Sequence, residues 1–214
     1  MLLTLAGMAR IGRNALLTAG LTLLTGLPQL ARAQSADVVG VHYPAAIKVE
    51  GNNLTLNGSG ISYRAVAKLY TVGLYVPQKA SKSDAIFATG GPKQLRFVML
   101  QGMRVDELGK VITKGIENNS SREEFFKLIP SIRMMGEEFS RIKRLNAGDI
   151  FAIEFVPKRG TMFFVNGQPA GLPLEDVGFF PAVLRTWLGN RPVTQDLKDA
   201  LLDYKAPPVL DALQ

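Results

Sequence analysis

Apolar residues in this chain keep two different periods in different places, and the order of those periods limits the fold more than any single motif. Up to Leu100 the pattern is alternation, with Leu95, Phe97 and Met99 on one side of a strand. From Val105 the spacing becomes three and four, through Leu108, Val111, Ile112, Gly115 and Ile116, which predicts a helix with one buried face. Asn118-Asn119 ends that helix. Ser121 followed by Glu124 is a capping box opening the next, which Phe125, Phe126, Leu128 and Ile129 fill before Pro130 interrupts. A further helix is expected from Ser131, with Ile132, Met135, Phe139, Ile142 and Leu145 on its stripe. Alternation returns at Phe151, Ile153 and Phe155 and runs through Thr161 to Val165, where Asn166-Gly167 is a hairpin signal.

The last third is helical again. Pro181 suits a first turn, Val183, Leu184, Trp187 and Leu188 give a buried stripe, and Thr194 is placed to cap a helix through Leu202. Sheet, helices, sheet, helix predicts an α+β domain: a largely antiparallel sheet covered on one side by helices. Helices clustered in mid-chain argue against a parallel, doubly wound sheet.

Shorter signals fill in the rest. Val38 to Tyr43 is β-prone, and Ile47 to Glu50 and Leu54 to Leu56 alternate around the turn Gly51-Asn52-Asn53. One helical turn is expected around Ser83 to Phe87. The methionines read as core filler, and Arg141 to Arg144 as the wet face of a helix. Glu154 has no acidic partner nearby in sequence, so it is expected to face solvent.

The chain has 214 residues, no cysteine and one histidine, His42. Disulfides and thiolate metal sites are thereby excluded, and histidine metal sites have no second ligand; no cofactor is expected. Residues 1–33 read as an export signal: Arg10 and Arg13 at the start, an uncharged apolar run from Ala15 to Leu27, and Ala31-Arg32-Ala33 as a small-x-small cleavage motif. Those 13 apolar residues rise only about 20 Å as a helix, short of the roughly 30 Å hydrocarbon core. Cleavage near Ala33 is therefore expected, giving a periplasmic or secreted protein of residues 34–214 with no transmembrane span. Removal of the three signal arginines leaves 22 basic against 18 acidic residues, a net charge of +4. That balance, in an exported chain, points away from nucleic acid and leaves anionic lipids and small acids as partners.

The chemistry gathers on Gly58 to Val76. Read as one long strand after a Gly58-Ser59-Gly60 turn, it puts Ser62, Arg64, Lys68 and Tyr70 on one face, with Val72, Leu74 and Val76 continuing that face as an apolar surface. A cationic, hydroxyl-bearing patch that grades into apolar surroundings suits a ligand with an anionic head and an apolar body. Plain solvent exposure is the competing explanation.

The words Lys68-Leu69-Tyr70-Thr71-Val72-Gly73-Leu74-Tyr75-Val76 and Ala182-Val183-Leu184-Arg185-Thr186-Trp187-Leu188-Gly189 with Pro192 resemble signatures of the chalcone isomerase superfamily, particularly its bacterial and fatty-acid-binding branches. The resemblance runs from about Val41 to Leu202 and implies an open-faced β-sandwich, a large antiparallel sheet under a helical layer. It implies that Thr186 matches the late Ser/Thr position of the isomerases. Tyr70 stands at their strand threonine and resembles instead the fatty-acid-binding branch, where a tyrosine and an arginine hold a carboxylate. Related sequences look like Gly-x-Arg where this chain has Ser62, and Arg64 lies on the same strand face. Arg104 is either a second cation or a residue flanking a helix start; the isomerases' tyrosine and asparagine are not found.

Three functions follow as expectations. The first is a non-catalytic carrier binding a fatty acid or similar amphipathic carboxylate between sheet and helices, through Arg64, Tyr70, Thr186, Ser62, Lys68 and Arg104. The second is an intramolecular lyase of the chalcone–flavanone type acting on a phenolic enone. The third is an interaction or structural protein without a ligand.

Overall fold

The computed structural model describes residues 34–203. The export signal and the extended tail expected at Pro207-Pro208 lie outside the described residues.

A hairpin of β1 (Ala36–Val38) and β2 (Val41–Tyr43) opens the chain, followed by β3 (Ala46–Val49), β4 (Asn52–Arg64) and β5 (Ala67–Val76). After α1 (Ser83–Ala88) come β6 (Lys93–Met99), the short β7 (Met103–Arg104), α2 (Val105–Asn118) and α3 (Arg122–Ile142). The chain continues through β8 (Arg144–Leu145), β9 (Ile150–Val156), β10 (Gly160–Val165) and β11 (Gln168–Pro169) to α4 (Phe179–Leu188) and α5 (Gln195–Leu201). Seven strands form one sheet in the order β11-β10-β9-β6-β5-β4-β3, antiparallel at every step. The ladder β7–β8 ties the start of α2 to the end of α3.

The helices cover one face, as the change of period predicts. Val72, Leu74, Leu95, Phe97, Phe151, Ile153 and Phe163 meet Leu108, Ile112, Phe139, Val183 and Trp187 in the main core. Each such side chain, fully buried, contributes roughly 1.5–3 kcal/mol. The other face carries a smaller cluster of Tyr43, Leu54, Leu56, Tyr75, Val156 and Met162. Tyr43 lies flat on Gly73, where a Cβ would come within 2.6 Å of its ring, and its hydroxyl is 2.7 Å from Thr71 Oγ1.

Several expectations are corrected. Gly58 to Val76 is not one strand: β4 and β5 form a hairpin that turns at Ala65-Val66, with Ala65 at φ 52° and Val66 94% exposed. No glycine, asparagine or proline marks that turn, so the sequence carries no signal for it. Gly58-Ser59-Gly60 is the middle of β4, not a turn. A Cβ on Gly58 would lie 2.2 Å from the Ala200 carbonyl oxygen and one on Gly60 2.7 Å from Leu197, so these glycines let α5 rest on the strand.

Pro130 does not end a helix; α3 runs through it for 21 residues. The carbonyl it leaves without a donor belongs to Phe126, which is exposed, so water can serve it. Met134 is exposed, whereas Met99, Met103, Met135 and Met162 are buried as expected. Glu154 does not face solvent: it is 7% exposed and accepts a 2.8 Å bond from Gln94. Ser121 and Thr194 cap α3 and α5 as read, accepting from the amides of Glu124 and Leu197.

Candidate functional site

Ser62 and Tyr70 face each other across the β4–β5 ladder. Tyr70 is 2% exposed, its ring packs edge-on against Phe97 at 5.3 Å, and its hydroxyl accepts from the Trp187 indole at 3.4 Å. Burial pushes the phenol well above the ordinary tyrosine range, against the opposing pull of the Ser62 hydroxyl and the indole. Tyr70 is therefore a neutral hydroxyl held inside the aromatic core, not an open ligand hook.

Arg64 goes elsewhere. The ladder shifts register between Ser62 and Tyr63, and Arg64 sits at the exposed end of the hairpin. Its Nη2 donates to Glu107 Oε2 at 3.0 Å, with 62% of the side chain accessible. Arg104 precedes the first turn of α2 and donates through Nε to Asp106 at 2.8 Å, holding that carboxyl below the usual aspartate range. Both arginines thus meet the chain's own carboxylates at the start of α2. Lys68 is exposed beside the β4–β5 turn, in a shallow hollow of about 430 Å³ with Val39, Val66 and Leu100. The expectation that Arg64 and Tyr70 look into one greasy hollow is corrected: the guanidinium is outside and the phenol is sealed. Sequence alternation could not show this, because the Arg64–Glu107 pair spans 43 residues.

Thr186 is fully buried on α4, and its Oγ1 lies 3.4 Å from the Ile112 carbonyl oxygen, to which it donates. Gly115 makes that approach possible, since a Cβ there would come within 2.3 Å of the hydroxyl. Beside this contact a cleft of about 370 Å³ opens between α2 and the loop that joins α4 to α5. Lys110, Lys114 and Arg191 line it together with Val111, Pro192 and Val193, and no carboxylate does so among the described residues. Lys110 lies 3.6 Å from Asp106 and Lys114 2.9 Å from Glu117, both in exposed pairs along α2. Exposed pairs of this kind are weak, and each ammonium keeps donors to spare. Lys110 and Lys114 were missed as a pair in the sequence; their spacing of four on a predicted helix was the available signal. A three-cation, apolar-walled cleft can hold an anionic head group beside an apolar one.

No cluster of three or more His, Asp or Glu side chains among the described residues could hold a metal. No described helix is long and apolar enough to cross a membrane.

Compared with known proteins, residues 35–203 match the model of a family described as chalcone isomerase-like. The fold is similar to the crystal structure of a fatty-acid binding protein from Arabidopsis thaliana, with a TM-score of 0.62 at 12% identity, covering 79% of this chain and 96% of that one. No curated protein sequence is matched.

Proposed function

Given that this chain belongs to the chalcone isomerase-like family, we propose that it is an exported, non-catalytic carrier of a fatty acid or similar amphipathic carboxylate. The observation that carries the reading is the cleft beside Thr186, lined by Lys110, Lys114 and Arg191 together with Val111, Pro192 and Val193 and with no carboxylate among the described lining residues. Charged donors bordering a small, partly apolar hollow are good carboxylate chemistry. The structurally similar Arabidopsis thaliana protein is described as fatty-acid binding, which agrees with this choice of ligand.

The same geometry weighs against the lyase reading. Electrostatic catalysis of phenolate addition needs a cation aimed at the reacting oxygen. Here Arg64 and Arg104, the cations named for the carrier, lie at the exposed start of α2 beside Glu107 and Asp106, and Tyr70 is a buried neutral phenol. A chalcone in the presence of the protein should close no faster than it does alone.

The test is direct. Full-length protein, expressed with its leader, is extracted with organic solvent and the extract analysed by mass spectrometry for bound acyl carboxylates. Hexadecanoate is then titrated calorimetrically. Replacing both Lys110 and Lys114 by Ala should weaken binding about tenfold, the scale of one lost charge-assisted hydrogen bond. Arg64→Ala should leave it unchanged, because Arg64 does not line the cleft. Absence of any bound lipid together with no hexadecanoate binding overturns the proposal. N-terminal sequencing of the exported product should begin near Gln34.

A further inference from the structure

The outer side of α2 borders a second hollow, whose far wall is α3. This groove holds about 500 Å³. Ile132, Met135 and Phe139 of α3 and Gly109 of α2 give it an apolar floor, and Lys110 and Lys114 stand on its rim, shared with the cleft beside Thr186. Its volume lies within the range of small-molecule sites.

One residue in this groove has no explanation in the packing of the fold. Gly136 sits well inside the 21-residue α3, where glycine is among the poorest helix formers. A glycine inside a helix is required where a neighbour presses close, as Thr186 presses on Gly115. At Gly136 a Cβ would meet nothing within 4 Å among the described residues. It lies one helical turn beyond Ile132, on the same side of α3, and lines the groove beside it. Gly136 is exposed, and the absence of a side chain there leaves the groove open at that point.

We propose that the acyl chain of the bound carboxylate lies in this α2–α3 groove, with Gly136 providing the clearance and Lys110 and Lys114 receiving the head group. The inference rests on the carrier reading above and goes further by placing the chain between two helices, outside the aromatic core that encloses Tyr70. The acids at the rim, Asp106 and Glu117, are each paired with one of these lysines in exposed pairs, and each ammonium keeps further donors for a head group.

Gly136→Leu fills the groove, while Gly136→Ala adds one methyl group in open space. Neither should unfold the protein, and both should raise its melting temperature, since Leu and Ala are better helix formers than Gly. Calorimetric titration of the full chain with hexadecanoate should show Gly136→Ala within about twofold of the parent and Gly136→Leu weaker by about tenfold or more, the effect of displacing two or more methylenes from apolar surface. Binding to the parent that Gly136→Leu leaves unchanged overturns the groove and spares the carrier reading. No binding to the parent overturns both.

Discussion

Single side chains in this protein hold surprises where long-range neighbours set their environment. Glu154 alternates with Phe151, Ile153 and Phe155 as a polar strand residue should, yet it is buried on the sheet face where its partners Gln94 of β6 and Met162 of β10 are buried too. Burial raises its carboxyl above the usual glutamate range; the Gln94 amide opposes this, Glu50 adds to it and Arg159 opposes it. A carboxyl raised in the folded state favours folding most when it is protonated, so its contribution is present below the unfolded pKa and lost as pH rises through the folded one. Glu154→Gln should therefore raise the melting temperature at neutral pH by about 3 °C, equivalent to roughly 1 kcal/mol. Near pH ~4, where glutamate is largely protonated in both states, the gain should vanish. Thermal melts of parent and variant at both pH values check this, and a gain that persists in acid would point to packing instead of charge.

Among the elements, the β4–β5 hairpin and α5 depend on each other through two glycines. Gly58 and Gly60 leave space that Ala200 and Leu197 fill, and Asn57 donates to the Leu201 carbonyl oxygen at 2.7 Å just beside them. Gly58→Ala drives a methyl group into backbone, which cannot swing aside, and should cost about 1–3 kcal/mol as an overpacked site. Urea unfolding gives the value, and hydrogen exchange at the α5 amides should show that helix loosening before the sheet. In the sequence, Gly-Ser-Gly reads as a turn because glycines mark turns far more often than they mark helix seats on strands. The actual turn, Ala65-Val66, is silent because nothing in its chemistry favours a turn. Placing the turn at Gly58-Ser59-Gly60 instead of Ala65-Val66 puts Arg64 and Tyr70 on one strand when they stand on two.

At the scale of the molecule, both faces of the sheet bury tyrosine. Burial raises all three phenols, Tyr70 beneath the helices and Tyr43 and Tyr75 on the opposite face, with Tyr75 pushed up to about 12. Above the ordinary tyrosine pKa of about 10 the unfolded chain ionises while the folded one does not, so stability is full below that pH and falls as pH rises toward the folded values. Alkaline unfolding followed by circular dichroism should coincide with the appearance of tyrosinate absorbance for these residues. Tyrosinate appearing well before the fold is lost would mean that the phenols are accessible.

Local periodicity in the sequence by itself determined the class of fold. Period two, then three and four, then two again can bury its apolar residues only as a sheet under a helical layer, and the caps at Ser121 and Thr194 are local chemistry that any chain context would keep. The site was decided by tertiary structure. Whether a guanidinium is free or engaged, a phenol open or sealed, and a helix glycine pressed or clear depends on residues tens of positions away. Arg64 with Glu107, Tyr70 with Trp187 and Gly136 beside the α2 groove are such cases. Electrostatics and excluded volume act through space, and a linear pattern carries neither.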